Sequence, residues 1–236
     1  NVPVLRNVFE KNENAARENR ERFNVRGITC VNLLGGAGSG KTSLLEALLP
    51  ILTKTLRVAV MEGDLATTRD ADRIAALGVP VVQLLTDGGC HLNATLVAHG
   101  LGQLPLDQLD LLFIENVGNP ICPANFDLGE HLRVSVLSVT EGDDKPSKYP
   151  LLFKGMTAVV ISKCDLLPHT NFRIEQAEQD IRRVNPDATI FHIAARSGRG
   201  IAELSQWIAE RLGRGAGARL CGLICWSGRA QVAAPG

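Results

Sequence analysis

Two reactive side chains, a carboxylate and a thiol, stand seven residues apart after one apolar run of the chain. Glu115 comes directly after the run Leu109 to Ile114, and Cys122 ends the stretch Glu115-Asn116-Val117-Gly118-Asn119-Pro120-Ile121-Cys122. A carboxylate at the end of a buried strand can bind a hard cation beside a phosphate, whereas a thiolate binds softer metals. The spacing therefore predicts that one segment takes part in two chemistries, provided that the chain supplies a phosphate site and further metal ligands.

A phosphate-binding loop is predicted between the first apolar strand of the core and the helix that follows it. Gly35-Gly36-Ala37-Gly38-Ser39-Gly40-Lys41-Thr42-Ser43 matches the pattern G-x-x-x-x-G-K-[ST] and follows an apolar run. Glycines let backbone N–H groups turn toward phosphate oxygens, and the positive end of the following helix faces the same anion. Lys41 is expected to neutralise the β- and γ-phosphates and Thr42 to bind Mg²⁺. The alternative is a glycine-rich turn that fits the pattern without binding phosphate.

Two carboxylates are candidates to complete the magnesium site. Glu115 follows a strand expected beside the phosphate-loop strand, and Asp64 follows the predicted strand Arg57 to Met61. Hard oxygen ligands next to a triphosphate suit Mg²⁺, directly or through its waters. Asp64 is also the first candidate for positioning the attacking water, with Glu62 as its rival for the metal. A solvated helix cap is the structural alternative for either candidate.

A base-reading motif is predicted where the strand Ala158 to Ile161 ends. Ser162-Lys163-Cys164-Asp165 is similar to the guanine-reading Asn-Lys-x-Asp motif of GTPases, with serine in place of the usual asparagine. Asp165, if buried, can accept hydrogen bonds from guanine N1–H and the 2-amino group, which adenine lacks, and Lys163 can lie over the base. The backbone N–H of Ala195, in a later loop, is expected to reach the base oxygen. GTP is therefore favoured over ATP, and an ordinary strand-to-helix turn is the alternative.

Cys90, His91 and Cys122 are the candidate ligands for a softer metal ion. Cys90 and His91 stand at the start of the predicted helix His91 to Leu101, and Cys122 follows the next predicted strand. Loops after parallel strands emerge at one end of the sheet, and two thiolates with an imidazole suit Ni²⁺ or Zn²⁺ better than Mg²⁺. The helix start is expected to lower the pKa of Cys90. Cysteines and a histidine that bind no metal are the alternative.

Alternating apolar strands and helices must position these side chains. The pattern predicts an α/β fold of the P-loop nucleotide hydrolase type, with a mostly parallel central sheet flanked by helices on both faces. Right-handed crossovers then place the ligand loops at the carboxyl ends of the strands. The predicted strands are Gly27 to Leu34, Arg57 to Met61, Val81 to Leu85, Leu109 to Ile114, Arg133 to Val139, Ala158 to Ile161 and Thr189 to Ile193, and the predicted helices are Lys41 to Thr53, Ala66 to Leu77, His91 to Leu101, Phe172 to Val184 and Ile201 to Leu212.

One nucleotide-binding domain is predicted, with an extension at each end. Residues 1–26 are expected to form a helical extension, exposed or docked on the core, residues 27–212 the GTPase domain, and residues 213–236 a flexible tail. The 236 residues and the 45% hydrophobic content suffice to bury one core of this size. Lysine plus arginine and aspartate plus glutamate number 25 each, so the basic excess of a nucleic-acid binder is absent.

Cysteine usage and the apolar runs predict the compartment. No run approaches the roughly 18 apolar residues of a membrane span, and the first residues have no signal-peptide pattern. A cytoplasmic protein with reduced thiols is therefore expected. Cys30 and Cys164 are predicted to be buried as small apolar side chains. Cys221 and Cys225 in the predicted tail have a spacing that metal ligands can use, although a stray pair is the favoured interpretation.

Blocks outside the phosphate loop add a family resemblance. Glu115-Asn116-Val117-Gly118 and Glu141-Gly142-Asp143-Asp144-Lys145-Pro146 are not general features of P-loop proteins. The further blocks are Gly35 to Ser43, Glu62 to Asp70, Gly89 to Leu92, Cys122 to Ala124 and Asp127 to Glu130. Together they resemble the HypB family of hydrogenase nickel-incorporation GTPases, over about Val4 to Leu212.

The resemblance implies a SIMIBI-class P-loop GTPase that delivers nickel to [NiFe]-hydrogenase. It implies a homodimer promoted by GTP, a HypA-type nickel metallochaperone as partner and the hydrogenase large-subunit precursor as recipient. The implied cofactors are GTP or GDP, Mg²⁺ and Ni²⁺ or Zn²⁺. The soft metal is implied to bind at Cys90, His91 and Cys122, in a site that the dimer shares. The serine of the base-reading motif and the loop around Ala195 depart from the family pattern and relax base recognition.

A metal-delivery switch is the function predicted from these sites. Nucleotide state is expected to order the segment from Glu115 to Cys122 and so to change Cys122 relative to Cys90 and His91. Slow intrinsic turnover is expected, because no glutamine or arginine finger that orients water or caps charge is evident. Two other classes stay open: a P-loop kinase or ATPase of small-molecule metabolism with incidental cysteines, and a non-catalytic metal-storage protein.

Overall fold

The fold is a single parallel sheet with helices on both faces. The computed structural model describes residues 3–64, 68–86 and 89–212. In these residues the strands are β1 Thr29–Leu34, β2 Val58–Asp64, β3 Val81–Leu85, β4 Leu111–Glu115, β5 Leu132–Ser138, β6 Ala158–Ser162 and β7 Thr189–His192. The helices are α1 Pro3–Arg26, α2 Lys41–Leu52, α3 Arg69–Ala75, α4 Ala94–Leu101, α5 Lys145–Lys148, α6 Ile174–Val184 and α7 Ile201–Ala209.

The strand order places the phosphate-loop strand at the centre of the sheet. The order is β3-β2-β4-β1-β5-β6-β7, and every described pair of neighbouring strands is parallel. This arrangement confirms the predicted α/β fold. Because β1 lies between β4 and β5, the loops after these three strands emerge side by side at the carboxyl edge, where ligands bind in such sheets.

Both faces of the sheet are buried, which explains why the strands are almost continuously apolar. Val31 and Leu33 of β1 pack on one face with α2 and α7, whereas Cys30 points to the other face, where α1 and α4 pack. A third group of buried side chains, which includes Ile161 of β6 and Ile181 of α6, fills the remaining part of that second face. Cys30 and Cys164 are both buried, as predicted.

The N-terminal helix is docked on the core rather than exposed along its length. Helix α1 packs against α4, and its Phe23 is fully buried. The Asn19 side-chain amide donates hydrogen bonds to the backbone oxygens of Ala94 and Leu128, at 2.8 and 3.1 Å. The extension and the nucleotide-binding core are therefore joined by buried polar contacts as well as by apolar ones.

Several element boundaries differ from the sequence-based prediction. Strand β2 continues to Asp64, because Gly63 and Asp64 still pair with Leu84 and Leu85 of β3. Helix α4 begins at Ala94 instead of His91, since the side chain of Asn93 caps it by accepting a hydrogen bond from the Leu96 N–H at 2.9 Å.

Some predictions fall on parts of the chain that the structure leaves undescribed. The predicted tail at 213–236, with Cys221 and Cys225, lies outside the described residues, as do residues 65–67 of the predicted helix Ala66 to Leu77. Among the described residues, no helix combines the length and the apolar character that a membrane span requires.

Candidate nucleotide and metal sites

The phosphate loop joins β1 to α2 in a conformation that requires glycine. Gly38 and Gly40 have φ angles of 73° and 97°, in the left-handed region that favours glycine. A Cβ atom on Gly35 would lie 2.5 Å from the backbone oxygen of Val136, so β5 leaves no room for a side chain there. The loop borders an open cavity of about 420 Å³, which is lined by the loop, the ends of β2 and β4, and Lys163.

Lys41 is buried at the base of this cavity. Its Nζ atom donates to the backbone oxygens of Gly35 and Gly36 at 3.3 and 3.4 Å. Burial lowers the pKa of Lys41, while the carboxylates of Glu115 and Glu141 act in the opposite direction. A buried cation beside the N–H groups of a glycine-rich loop is a strong site for an anion such as a phosphate.

A pair of buried carboxylates faces the phosphate loop because of strand register. Glu62 of β2 lies opposite Glu115 of β4, and the two are only 3% and 4% exposed. Glu115 Oε1 accepts a hydrogen bond from the Thr42 hydroxyl at 2.8 Å. The Oε2 atoms of both glutamates are buried without a hydrogen-bond partner among the described residues. Buried carboxylate oxygens without partners suit a hard cation.

The pKa values of the pair reflect this burial. Burial, followed by the nearby charge of Glu115, raises the pKa of Glu62 to about 8. Burial also raises the pKa of Glu115 to about 7, against the lowering effects of Lys41 and the Thr42 hydroxyl. Their carboxylate oxygens lie within 4.8 Å of one another and of an oxygen of Asp70. A divalent cation at this position would offset the repulsion among the three groups.

The set of carboxylates that the structure brings together differs from the pair that the sequence predicts. Asp64 lines the same cavity, but the structure brings Glu62 rather than Asp64 beside Glu115. Side chains two residues apart point the same way from a strand, so Asp64 lies about 6.6 Å further along β2. Asp70 was not singled out as a ligand, although it stands in the first turn of α3; its carboxylate forms an ion pair with Arg73 at 2.6 Å.

Two of the predicted base-reading residues contact the phosphate loop, and the other two lie outside the cavity. The Ser162 hydroxyl donates to the Ser39 backbone oxygen at 2.5 Å, and Lys163 Nζ donates to the Gly38 oxygen at 2.6 Å. Asp165 is exposed and Ala195 is half-buried, and neither lines the 420 Å³ cavity. The condition of a buried Asp165 is not met in this structure, so a bound base would have to cover its carboxylate, and its role in base recognition stays a prediction.

Cys90, His91 and Cys122 lie together at the same edge of the sheet. One ligand atom from each falls within 4.8 Å of the others, and Cys90 Sγ is 3.5 Å from His91 Nδ1. Burial lowers the pKa of His91, which favours the neutral imidazole that binds metals. Its ring stacks on Phe126, with centroids 3.8 Å apart. These three residues therefore form a thiol–imidazole cluster.

The predicted effect of a helix start on Cys90 is wrong. The hydrogen bond with Cys122 is the largest cause that raises the pKa of the Cys90 thiol, and α4 begins only at Ala94. Cys90 is therefore outside the first turn of the helix, where the dipole acts. A metal ion, rather than the helix, would have to stabilise the thiolate.

The 115–122 segment passes from one cluster to the other along the phosphate loop. Its Gly118 faces Ala37, and a Cβ atom at Gly118 would lie 2.9 Å from the Ala37 Cα atom. Its Asn119 forms an isolated antiparallel bridge with Gly35. The two clusters are therefore joined by backbone packed directly on the loop that would hold phosphate.

The parallel sheet, the phosphate loop and the carboxylates behind it define a P-loop nucleotide-binding protein, a fold that supports nucleotide hydrolysis. The nucleotide-binding domain of the family described as CobW/HypB/UreG matches residues 29–192. The hydrogenase maturation factor HypB of Azotobacter vinelandii is 47% identical over 217 residues, which cover 92% of this chain and 72% of that protein. The chain belongs to this family and, within it, to the hydrogenase maturation factors HypB.

Solved structures agree with this assignment. The crystal structure of HypB from Helicobacter pylori in complex with nickel has a TM-score of 0.82 at 38% identity, covering 85% of this chain and 94% of that chain. The crystal structure of HypB from Archaeoglobus fulgidus has a TM-score of 0.81 at 35% identity, covering 86% of this chain and 99% of that chain. The resemblance noted in the sequence is thereby confirmed.

Proposed function

We propose that this chain is a GTP-hydrolysing metallochaperone that couples GTP binding and hydrolysis to nickel delivery during [NiFe]-hydrogenase maturation. The observation that carries the proposal is the 115–122 segment, which has Glu115 against Thr42 at one end and Cys122 in the thiol–imidazole cluster at the other. A metal cluster and a nucleotide site joined by one backbone segment can change each other's affinity. A HypB relative crystallised with nickel supports the identity of the cargo.

The nucleotide side of the proposal rests on the phosphate loop and its carboxylates. Backbone N–H groups of residues 35–43 and the buried Lys41 would hold the β- and γ-phosphates. Thr42 and Glu115, with Glu62 beside them, are the proposed ligands of Mg²⁺, which supplies charge stabilisation to the phosphates when bound. Asp64 lines the cavity and stays the candidate for positioning water.

GTP is the proposed nucleotide because of Asp165, whose carboxylate matches the donors of guanine. Ser162 and Lys163 donate hydrogen bonds to backbone oxygens of the phosphate loop, and Asp165 follows them at the same strand end. The backbone N–H of Ala195 is the proposed donor to the base oxygen. Competition of GTP and ATP for a labelled GDP tests this part, and equal displacement by ATP would favour a kinase or ATPase instead.

The metal side rests on three ligands of soft or borderline character. Cys90, His91 and Cys122 suit Ni²⁺ as cargo, and they suit Zn²⁺ as well. Three ligands leave one tetrahedral position for water, a second subunit or a delivery partner. Ile121, which is 48% exposed beside Cys122, offers an apolar contact to whatever docks there.

The assembly proposed follows from family membership. A homodimer promoted by GTP would place two thiol–imidazole clusters at one interface, and a HypA-type metallochaperone and the hydrogenase large-subunit precursor would be the partners in transfer. Light scattering with GDP or a non-hydrolysable GTP analogue, each with and without Ni²⁺, tests the dimer. A mass that is the same under all four conditions would contradict the GTP-promoted dimer.

The central experiment measures metal affinity in two nucleotide states. Ni²⁺ is titrated by calorimetry into protein saturated with Mg²⁺–GDP and into protein saturated with Mg²⁺ and the GTP analogue. We expect dissociation constants that differ by about 5-fold or more, the usual lower size of a coupling between two sites. Equal constants would remove the switch, and absence of phosphate release with GTP would favour a metal-storage protein.

A further inference from the structure

Two asparagines of the 115–122 segment each hold one half of the thiol–imidazole cluster. The Asn119 side-chain oxygen accepts hydrogen bonds from the backbone N–H groups of Ile121 and Cys122, at 2.9 and 3.4 Å. The Asn116 side-chain oxygen accepts one from the backbone N–H of Leu92, the residue after His91, at 3.4 Å. The backbone on both sides of the cluster is therefore attached to one short segment.

The same asparagines also contact the nucleotide site. Asn119 forms the backbone bridge with Gly35, the first glycine of the phosphate loop. Asn116 lines the cavity, and its backbone N–H donates to the Leu33 oxygen of β1 at 2.9 Å. Each asparagine therefore touches the nucleotide site through one set of atoms and the metal cluster through another.

The two attachments differ in stiffness. Asn116 is 1% exposed, and its side-chain amide donates to Asn32 of β1 at 3.3 Å. Asn32 in turn donates to the buried Glu130 at 3.0 Å. Satisfied buried polar groups of this kind make a rigid support. Asn119 is half-buried and follows the exposed Gly118, so its side of the cluster is the one free to move with the phosphate loop.

Pro120 explains why a side chain takes this role at position 119. Proline has no backbone N–H, so the first donors after Asn119 are those of Ile121 and Cys122. The Asn119 oxygen accepts both, and it thereby sets the direction in which the Cys122 turn leaves the phosphate loop. Asn119 thus connects the phosphate loop, through its backbone bridge to Gly35, with the backbone N–H of Cys122, through its side chain.

We propose that Asn119 is the positioning residue that transmits nucleotide state to Cys122, while Asn116 keeps the His91 side fixed to the sheet. A shift of the phosphate loop moves the Asn119 backbone, and its side chain carries the N–H of Cys122 with it. Cys122 Sγ then changes its distance from Cys90 and His91. This inference rests on the proposed function, because it assigns the coupling of that site to one side chain.

The test compares the ratio of the Ni²⁺ dissociation constants with GDP and with the GTP analogue in four proteins. Asn119→Ala removes the acceptor, and we expect its ratio to fall from about 5-fold or more in the wild type to under about 2-fold. Asn119→Asp keeps an acceptor oxygen, and we expect it to restore the ratio. Asn93→Ala is the matched control, because it removes a cap of the same kind near His91 whose described hydrogen bond stays within α4, away from the phosphate loop.

Each outcome decides a different question. A wild-type ratio of one ends the proposed switch, and this inference with it. A wild-type ratio that Asn119→Ala leaves intact ends only the inference. An equal loss of the ratio in Asn93→Ala would show general loosening of the cluster, which also overturns the role of Asn119. GDP affinity within about 3-fold of wild type in all variants is expected, since the backbone bridge between Asn119 and Gly35 is kept in each of them.

Discussion

The nucleotide pocket and the thiol–imidazole cluster share one edge of the sheet, but they are built from different parts of the chain. Glu62 and Glu115 lie at paired positions of adjacent strands and are almost fully buried. Cys90 is exposed, and Cys122 begins a short 3₁₀ turn, Cys122–Asn125. Strands hold their side chains through the register of the whole sheet, whereas loops hold theirs through a few local hydrogen bonds.

This difference indicates which site senses and which responds. In the pocket, burial dominates the pKa values of Lys41, Glu62 and Glu115, so ligand charge is met by groups that are already in place. In the cluster, the exposed Cys90 thiol lies beside His91 and Cys122, and loop-borne ligands of this kind can change their geometry at little cost. Strand-held carboxylates, joined through the phosphate loop to an adjustable metal site, are the arrangement that a metal-release switch requires.

Removal of one thiol should give the largest effect, a loss of Ni²⁺ affinity at the thiol–imidazole cluster. Cys122→Ala deletes one of three ligands, and at about 3 kcal/mol or more per ligand the Ni²⁺ affinity should fall more than about 100-fold. Calorimetry at fixed nucleotide measures this loss, and Cys221→Ala, a thiol change in the predicted tail, should leave the affinity unchanged. Wild-type stoichiometry and affinity in Cys122→Ala would remove Cys122 from the metal site.

Removal of the buried Lys41 ammonium should weaken nucleotide binding and leave metal binding unchanged. Lys41→Ala should weaken GDP binding by roughly 100-fold, because about 3 kcal/mol of charge-assisted hydrogen bonding to phosphate is lost. The exposed Lys54→Ala is the matched control. Zn²⁺ affinity without nucleotide should stay within about 2-fold of wild type in both variants. A large metal effect of Lys41→Ala in that state would contradict the separation of the two sites.

The buried carboxylates should give the nucleotide pocket a pH-dependent stability in metal-free protein with EDTA. The pKa of Glu62 is raised from 4.5 to about 8, so the folded state holds this proton more tightly than the unfolded chain. Its contribution is complete below about pH 4.5 and is lost as pH rises through about 8, on the order of 5 kcal/mol of unfolding free energy. Urea unfolding between about pH 5 and 9 measures this slope.

The matched variants identify the source of that slope. Glu62→Gln should reduce it, with the part due to the raised pKa of Glu115 remaining, whereas the exposed Glu203→Gln should keep it in full. Glu62→Gln with the full wild-type decline would show that the proton is held elsewhere. Saturating Mg²⁺–GDP should also reduce the decline, because a bound cation stabilises the charged carboxylates.

The sequence predicted the two clusters better than their details, and the reasons are physical. The rule that loops after parallel strands share an edge of the sheet predicts that Cys90, His91 and Cys122 lie close together. The structure places Glu62 rather than Asp64 opposite Glu115, and this pairing depends on the register between β2 and β4, a non-local property that the sequence does not specify. That assignment of Mg²⁺ ligands stays a prediction.

Two local signals in the sequence indicate further details of the site. Asn93 directly before the apolar part of α4 is a typical N-cap, and it would have placed the helix start after His91. Asp70 and Arg73 have the spacing of an ion pair on one helical turn, and in the structure both line the pocket. Phe126 carried no such signal, because its neighbours Phe9 and His91 come from distant parts of the chain.

Loss of the Phe126 stack should have the smallest of these effects on metal affinity. Its size measures how firmly the adjustable metal site is held. The Phe126 ring lies between His91, at 3.8 Å, and Phe9 of α1, at 5.5 Å between centroids. A stacked aromatic pair contributes about 0.5–1.5 kcal/mol, so Phe126→Leu should weaken Ni²⁺ binding by about 3-fold to 10-fold at fixed nucleotide. Phe126→Tyr keeps the ring and should bind as the wild type does. If Phe126→Leu binds Ni²⁺ as tightly as Phe126→Tyr, the imidazole is held by its backbone alone, and the N-terminal helix has no part in positioning the metal cluster.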